Sequence, residues 1–587
     1  LGGVNVRIGK IYYERDEMSE LTCGEILIES LANQGPAPVF SIPDGTYNIL
    51  FKWAHDNAEK RGMTFVTPRH EAAGVHMADA FARVTGRPAI TVLGAGPGAA
   101  NGLAGVICAH CEDIPMIVVS TTRRTDLIYP PRGGMQVFDQ KAVFESVCKF
   151  NARVTNVERI PELVGTAYRE ALTGIPGPVH IEIPEDIMNK KIDTKGIEFT
   201  PKVDAGVLQS AGDAGAVEEA AKLLVESEEP MIHAGAAVIR SGAWAELIEL
   251  AEYLGCPVTT SPGARGSIPE DHPNSIHTAC GMARAALSQS KLVLAVGCKF
   301  GELDFFGKAP LWGPAANQKL IHIHISPERV GVNRKADVAI VGSAPVVLRQ
   351  LLEAVKALTP KREPHKRLKQ YRDIQNMWEQ GLRAKVENTD APMATGRMIL
   401  EARGFFPREA IAVMDGGNTS LWSTHYNKIL GPRRLMWTSE FGHLGTGVPF
   451  AIGAKLASPD SPVYLISGDG AFGFNLMELE TARRIGTPFV ALVAADIAWG
   501  MEKTAQQRCF GHSDFYVNCD HHPARYDKIA QALDCFGAYV ETADQLKTAL
   551  KEASAANVPA VIHVAVDPVA NVTPPGAELW VGSHTTK

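Results

Sequence analysis

Asp469 and Asp496 are the residues of this chain whose type and spacing most directly imply chemistry. Each follows an apolar run, Val463-Tyr464-Leu465-Ile466-Ser467 before the first and Phe489 to Ala494 before the second. They lie 27 residues apart, the length of one crossover, so neighbouring parallel strands would bring both carboxylates to one place. The turn at the first reads Gly468-Asp469-Gly470-Ala471-Phe472-Gly473, which satisfies the letters of the dinucleotide fingerprint. A carboxylate beside a pyrophosphate is repulsive; a divalent cation bridging the two makes the arrangement favourable. The alternative is an ordinary crossover turn with surface aspartates.

Glu71 is the third acid of interest. It stands where the run Thr64-Phe65-Val66 gives way to an alanine-rich helical pattern, Ala72 to Thr85. A carboxyl in apolar surroundings can share a proton with a ring nitrogen of a ligand. A helix-start glutamate favoured by the macrodipole is the plainer reading. Two loops could hold a phosphate through backbone amides and polar side chains: Asp415-Gly416-Gly417-Asn418-Thr419-Ser420, and Gly442-His443-Leu444-Gly445-Thr446-Gly447. Arg240 and Arg265, in the middle of the chain, could meet a nucleotide phosphate or lie at the surface. Cys108-Ala109-His110-Cys111 and Cys519-Asp520-His521-His522 have metal-ligand letters without a second pair at zinc-site spacing, so core thiols and surface histidines are the simpler reading.

The elements that must position these residues alternate along the chain. Helix Gly24 to Ala32, strand Val39 to Ile42, strand Ala89 to Leu93, a helix from Asn101 to His110, strand Met116 to Ser120 and strand Val179 to Ile183 form a first α/β unit. Strands separated by helices, with glycine-rich turns after the strands, argue for an open parallel sheet. The same grammar recurs twice, with strands at Pro230, Pro257, Lys291 and Leu320, and again at Ile411 and Val463, where a helix from Phe474 to Arg484 is expected. The expected class is therefore α/β, three successive open parallel-sheet domains. The expected boundaries are 1–17 as an N-terminal extension, 18–190, a linker 191–205, 206–358, a linker helix 359–391, 392–570, and a tail 571–587.

Composition narrows the partners. With 587 residues, 45% hydrophobic and 21% charged, this is the profile of an ordinary globular protein of several domains. A net charge of −7 with no long basic run argues against nucleic acid, and no apolar stretch reaches the 18 or so residues of a membrane span. Ten cysteines without framework spacing suit a reduced, cytoplasmic protein.

Arg69-His70-Glu71 to Arg83, Gly96-Pro97-Gly98-Ala99-Ala100-Asn101, Gly177 to Pro184, Gly266 to Pro273, Leu444 to Lys455 and the Gly468 turn together resemble the thiamine diphosphate (ThDP) enzymes of the acetolactate synthase large-subunit group, from about Met18 to Pro568. The resemblance implies a pyrimidine-binding, a central and a diphosphate-binding domain, in that order. It implies that Glu71 is catalytic, touching the cofactor's pyrimidine N1′. It places Asp469, Asp496 and the Ala498 carbonyl on Mg²⁺, and Gly417, Asn418, Thr419, Gly470 and Ala471 along the diphosphate. The Gly442 carbonyl would accept from the 4′-amino group, and Leu444 would hold the cofactor bent. The implied reaction is decarboxylation of a 2-oxo acid, or attack on another carbonyl, with carboligation through a C2-bound enamine. A homodimer or homotetramer with sites between subunits is implied, and FAD in the central domain is left open.

Departures from the synthase pattern concern the substrate side. Pro43-Asp44-Gly45 replaces Pro-Gly-Gly and places an acid near the expected pocket, and Gln136 matches a pocket glutamine of several members. Trp499-Gly500 with Gln506-Gln507 is similar to benzaldehyde lyase, and Trp499-Gly500-Met501-Glu502-Lys503 to sulfoacetaldehyde acetyltransferase. Lyase or acetyltransferase chemistry is therefore the alternative. A non-catalytic cofactor-binding protein and a nicotinamide oxidoreductase are the more distant ones.

Overall fold

A computed structural model describes residues 20–387, 391–511, 514–571 and 574–575. The expected extension 1–17 and the tail residues 576–587 lie outside them. Three parallel sheets succeed one another along the chain. In the first the strands lie side by side as Thr64–Val66, Pro38–Ser41, Ala89–Leu93, Met116–Thr122, Pro178–Pro184 and Asn151–Arg153. In the third they lie as Leu435–Met436, Ile411–Asp415, Val463–Gly468, Val490–Ala495, Ala560–Ala565 and Phe536–Val540. Counted in chain order within each sheet, both run 2-1-3-4-6-5. The central sheet is Val258–Thr260, Pro230–Ala234, Leu292–Val296, Lys319–His324 and Val338–Val341, or 2-1-3-4-5.

That order dictates where ligands can sit. Strands 1 and 3 are neighbours whose chains leave toward opposite sides, opening a crevice at their carboxyl ends. In the third domain those ends are Asp415, in register with Ser467, and Gly468, in register with Ala494 of the next strand. Two of the three acids singled out above are thus delivered by adjacent parallel strands. The strands themselves are continuous apolar runs because helices cover both faces; Val490–Ala495 is buried throughout.

The outer domains share one hydrophobic core, which takes Phe40, Ala73, Met77 and Val118 from the first and Ile411, Phe450, Val463 and Leu465 from the third. Its centre is the packing of helix Glu71–Thr85 against helix Gly447–Ala457. Both are rich in alanine and glycine, and the backbones meet closely: a Cβ on Gly453 would overlap the Met77 carbonyl oxygen. The central domain has its own core around Ile232, Leu250, Leu294 and Val347.

Three local expectations change. The helix expected from Phe474 to Arg484 starts later, at Glu478, and runs to Ile485; a break separates it from a short helix, Asp469–Phe474, formed by the glycine turn before it. Asn475 sits in the break and spends its side-chain amide on the Gly445 carbonyl, 2.8 Å away. The segment read as the start of a linker contains a strand, Lys191–Asp193, that pairs antiparallel with Glu20–Thr22. Edge strand Val338–Val341 alternates buried and exposed residues, too short a pattern to read from sequence.

Candidate active site

At the crevice of the third domain, Asp469 is almost fully buried and within hydrogen-bonding reach of Asp496. Burial first, and the Asp496 charge second, push the Asp469 carboxyl above the usual carboxylate range. Asp469 Oδ1 accepts the Gly470 N–H at 2.8 Å and Oδ2 accepts the Ile497 N–H at 2.8 Å. Ile497 lies between Asp496 and Ala498 with φ +59°, a conformation that a β-branched residue adopts at a cost of about 1–3 kcal/mol. The bond to Asp469 holds this kink, which puts Asp496 and the Ala498 carbonyl on the same short turn. Gly500 follows close to Asp496, where a Cβ would overlap the carboxylate.

Beside this pair, helix Asn418–Tyr426 presents its N-terminus. Asn418 Nδ2 and Ser420 Oγ are buried and make no hydrogen bond among the described residues. A buried, unsatisfied donor costs about 1–3 kcal/mol, so a pair of them next to free helix amides calls for an acceptor. Thr419 lies against Gly468, and Gly417 against Met501. The loop carrying Gly442 and Leu444 is tied to the same crevice. Asp415, at the end of strand Ile411–Asp415, accepts the N–H groups of Gly445 at 3.2 Å and Gly447 at 2.8 Å. Burial pushes its carboxyl up to about 6 against the pull of those amides.

Glu71 opens helix Glu71–Thr85, and His70 caps it by accepting the Ala72 N–H. The Glu71 Oε2 accepts from the Asn101 amide at 3.0 Å, a partner that sequence reading did not assign. Glu71 also lies against Gly98, in the first turn of helix Pro97–Cys111, directly after the glycine loop that follows strand Ala89–Leu93. On the other side of that loop, Asp44 packs against Gly94 and Gln136 against Gly96. The crevice of the first sheet therefore gathers Glu71, Asp44 and Gln136, and the crevice of the third gathers Asp469, Asp496, Ala471 and Asn418. The charged neighbour that raises Asp469 is Asp496; Glu71 is not one of its causes.

Two substrate-side expectations are altered by local bonding. Asp44 Oδ1 is engaged by the Thr46 N–H at 2.9 Å and hydroxyl at 2.5 Å, so one carboxylate oxygen is spent on its own turn. Gln506 is tied to the loop after its helix: its carbonyl accepts the Val517 N–H at 2.8 Å and its amide donates to the Val517 carbonyl at 3.3 Å. Trp499 stays at the site, where a Cβ on Gly470 would meet its ring at 2.7 Å, with the His521 ring edge-on at 4.8 Å. The Cys519–His522 run does not converge: Cys519 faces Gln506, and Asp520 pairs with Lys503 at 2.8 Å.

Profiles of the thiamine pyrophosphate enzyme domains match in series: the N-terminal TPP binding domain over residues 21–143, the central domain over 217–351 and the C-terminal TPP binding domain over 415–564. The "Probable acetolactate synthase large subunit" of Methanocaldococcus jannaschii is 32% identical, with 94% of each chain covered. The chain belongs to the thiamine pyrophosphate enzymes. The acetolactate synthase large subunit of Buchnera aphidicola is 29% identical over 95% of this chain and 97% of its own. Acetolactate synthase isozyme 3 large subunit of Escherichia coli is 28% identical over 91% and 92%.

The donor set fits the cofactor of this family. Two adjoining carboxylates, one of them buried, are favoured as a charged pair by a cation between them, and the unpartnered Asn418 and Ser420 donors suit a diphosphate. A flavin gains no comparable support. The junction of the three domains holds a cavity of about 320 Å³ with Arg240, Arg265 and Arg433 in its wall. Arg240 is paired with Asp113 at 3.1 Å, and Arg265 with Glu270 at 2.6 Å, so the two arginines read as phosphate candidates are already neutralised by acids.

Proposed function

We propose that this chain is a Mg²⁺- and ThDP-dependent enzyme of the acetolactate synthase type, making or breaking a C–C bond next to a carbonyl. The observation that carries the reading is the pairing of buried Asp469 with Asp496 at a switch point, beside the unpartnered Asn418 and Ser420 donors. Asp469, Asp496 and the Ala498 carbonyl would hold Mg²⁺. Gly417, Asn418, Thr419, Gly470 and Ala471 would line the diphosphate. When bound, ThDP supplies an acidic C–H whose carbanion adds to a carbonyl carbon. The chain's own part is to position and to move protons. Glu71, oriented by Asn101, would share a proton with the pyrimidine N1′. The Gly442 carbonyl would accept from the 4′-amino group, and Leu444 would fill the space beneath the bent cofactor.

Asp44, Gln136 and Trp499 are the proposed substrate contacts. The lyase or acetyltransferase reading leans on the Trp499–Gln507 segment, in which Gln506 bonds to Val517. The synthase reading is preferred because the relatives reported above carry that name. A second copy of the chain would complete each site. All ten cysteines are free, which suits the cytoplasm, and among the described residues no helix is long and apolar enough to cross a membrane.

Incubation of the holoenzyme with pyruvate should yield acetolactate and CO₂. Glu71→Gln should lower turnover by about 10²–10⁴-fold while ThDP still binds in a calorimetric titration. Full activity in that variant would remove Glu71 from the mechanism. Turnover of another carbonyl without CO₂ release would favour the lyase or acetyltransferase reading.

A further inference from the structure

Two buried carboxylates that the chemistry above does not use join the outer domains in opposite directions. Glu478, from the third domain, is 1% exposed. Its Oε1 accepts the N–H of Arg69 at 2.9 Å and of His70 at 3.1 Å, and its Oε2 accepts the Thr481 hydroxyl at 2.7 Å. His70 is the cap of the helix whose first residue is Glu71. Glu112, from the first domain, is 2% exposed. Its Oε1 accepts the N–H of Glu440 at 2.7 Å and of Phe441 at 3.1 Å, and its Oε2 faces the Arg83 guanidinium at 3.6 Å. Gly442 and Leu444 come directly after those amides in the chain.

Each carboxylate thus grips two consecutive backbone amides in a turn of the other domain, and each gripped turn leads straight into a proposed cofactor contact. Neighbouring bonds reinforce the first grip: Arg484 donates to the Thr67 carbonyl at 2.6 Å, and Arg69 lies 3.8 Å from Glu480. A carboxylate buried this deeply requires its donors, and charged acceptors make shorter, more directional bonds than neutral ones. Such a group fixes geometry more than it adds net stability.

We propose that Glu478 and Glu112 are positioning residues, reciprocal clasps by which each outer domain sets the backbone of the other's half of the cofactor site. The proposal rests on the cofactor reading given above. It separates the two acids by effect. Glu478 governs the turn that presents Glu71, so its loss impairs turnover with little effect on ThDP affinity. Glu112 governs the Gly442–Leu444 loop that would embrace the pyrimidine, so its loss impairs affinity first.

Full-length Glu478→Ala, Glu478→Gln, Glu112→Ala and Glu112→Gln test it by two measurements. Hydrogen exchange on cofactor-free protein should accelerate about tenfold or more at Arg69–His70 in Glu478→Ala alone, and at Glu440–Phe441 in Glu112→Ala alone, from the loss of a charge-assisted bond. The glutamine variants keep an accepting oxygen and should stay protected. Calorimetric titration with ThDP and Mg²⁺, beside turnover with pyruvate, should give Glu478→Ala a Kd within about twofold of the parent and a kcat at least about tenfold lower. Glu112→Ala should show a Kd raised about tenfold. If an alanine variant fails to fold, Glu478→Asp or Glu112→Asp, which withdraws the carboxylate by one methylene, takes its place. Unchanged exchange at the gripped amides, or the same kinetic profile in both alanine variants, would overturn the proposal. Failure of the parent to bind ThDP would overturn the cofactor reading instead, and the exchange pattern would still judge the clasps.

Discussion

Asp415 illustrates what a single buried acid can contribute at the site. Its carboxyl is pushed up to about 6 by burial, against an ordinary value of 3.8, although three backbone amides pull the other way. The folded protein therefore holds this proton more tightly than the unfolded chain does. The stability contributed is fully present below the ordinary value and is lost as pH rises through about 6. The loss corresponds to about 3 kcal/mol. Asp415→Asn cannot ionise, so denaturation midpoints of variant and parent, compared from pH 4 to pH 7.5, should converge or cross as the parent weakens. A difference that stays constant with pH would remove Asp415 as the cause. Asp415 was legible in the sequence as the end of a strand. Its work as a clamp was not, because the amides that it binds lie 30 and 32 residues away in another loop. Glu478, whose partners are more than 400 residues distant, was wholly silent in the sequence for the same reason. Gln506 shows the same limit: its letter suggested substrate contact, and its bond to Val517, in the loop after its helix, could not be read from the sequence.

Among elements, the crossing of helix Glu71–Thr85 with helix Gly447–Ala457 matters most, since it sets the first domain against the third. Alanine-rich periodicity made both helices legible. Their mutual packing was not, because small residues permit close approach without naming the partner. Gly453 is where the approach is closest, and any Cβ there must displace the Met77 carbonyl or push Ala80 aside. Gly453→Ala should therefore destabilise by about 1–3 kcal/mol or more, the usual range for overpacking. Because one core runs through both outer domains, their calorimetric transition should fall as a unit, while the central domain, with its separate core, keeps its own. An unshifted transition would mean that the crossing accommodates the added methyl without strain. The late start of the helix expected from Phe474 belongs to this scale as well. Period alone began it at Phe474, whereas Asn475 bonds to Gly445 ahead of the helix, a tertiary claim that no local propensity records.

For the whole molecule, the proposed chemistry needs Glu71 and the Asp469–Asp496 pair at one cofactor. Within the chain they occupy the crevices of two different sheets. Glu71 bonds to Asn101 in its own domain, and the charge next to Asp469 is that of Asp496. A symmetric dimer resolves this if each site takes its first-domain half from one copy and its third-domain half from the other. The arrangement has a genetic consequence. Glu71→Gln dimers lack the acid in both sites, and Asp469→Asn dimers lack the metal clamp in both. In a hybrid, the intact Asp469 of the first variant faces the intact Glu71 of the second, so one site is whole and the other is doubly defective. Random assembly of equal amounts makes half of the dimers hybrid, and activity should return to about a quarter of the parent level. Co-expression of the two variants with different affinity tags measures it: the unfractionated mixture should show that quarter, and the isolated hybrid about half of the parent turnover with pyruvate. If each chain instead carried a self-contained site, every site in the hybrid would lack one essential group, and mixing two dead variants would restore nothing.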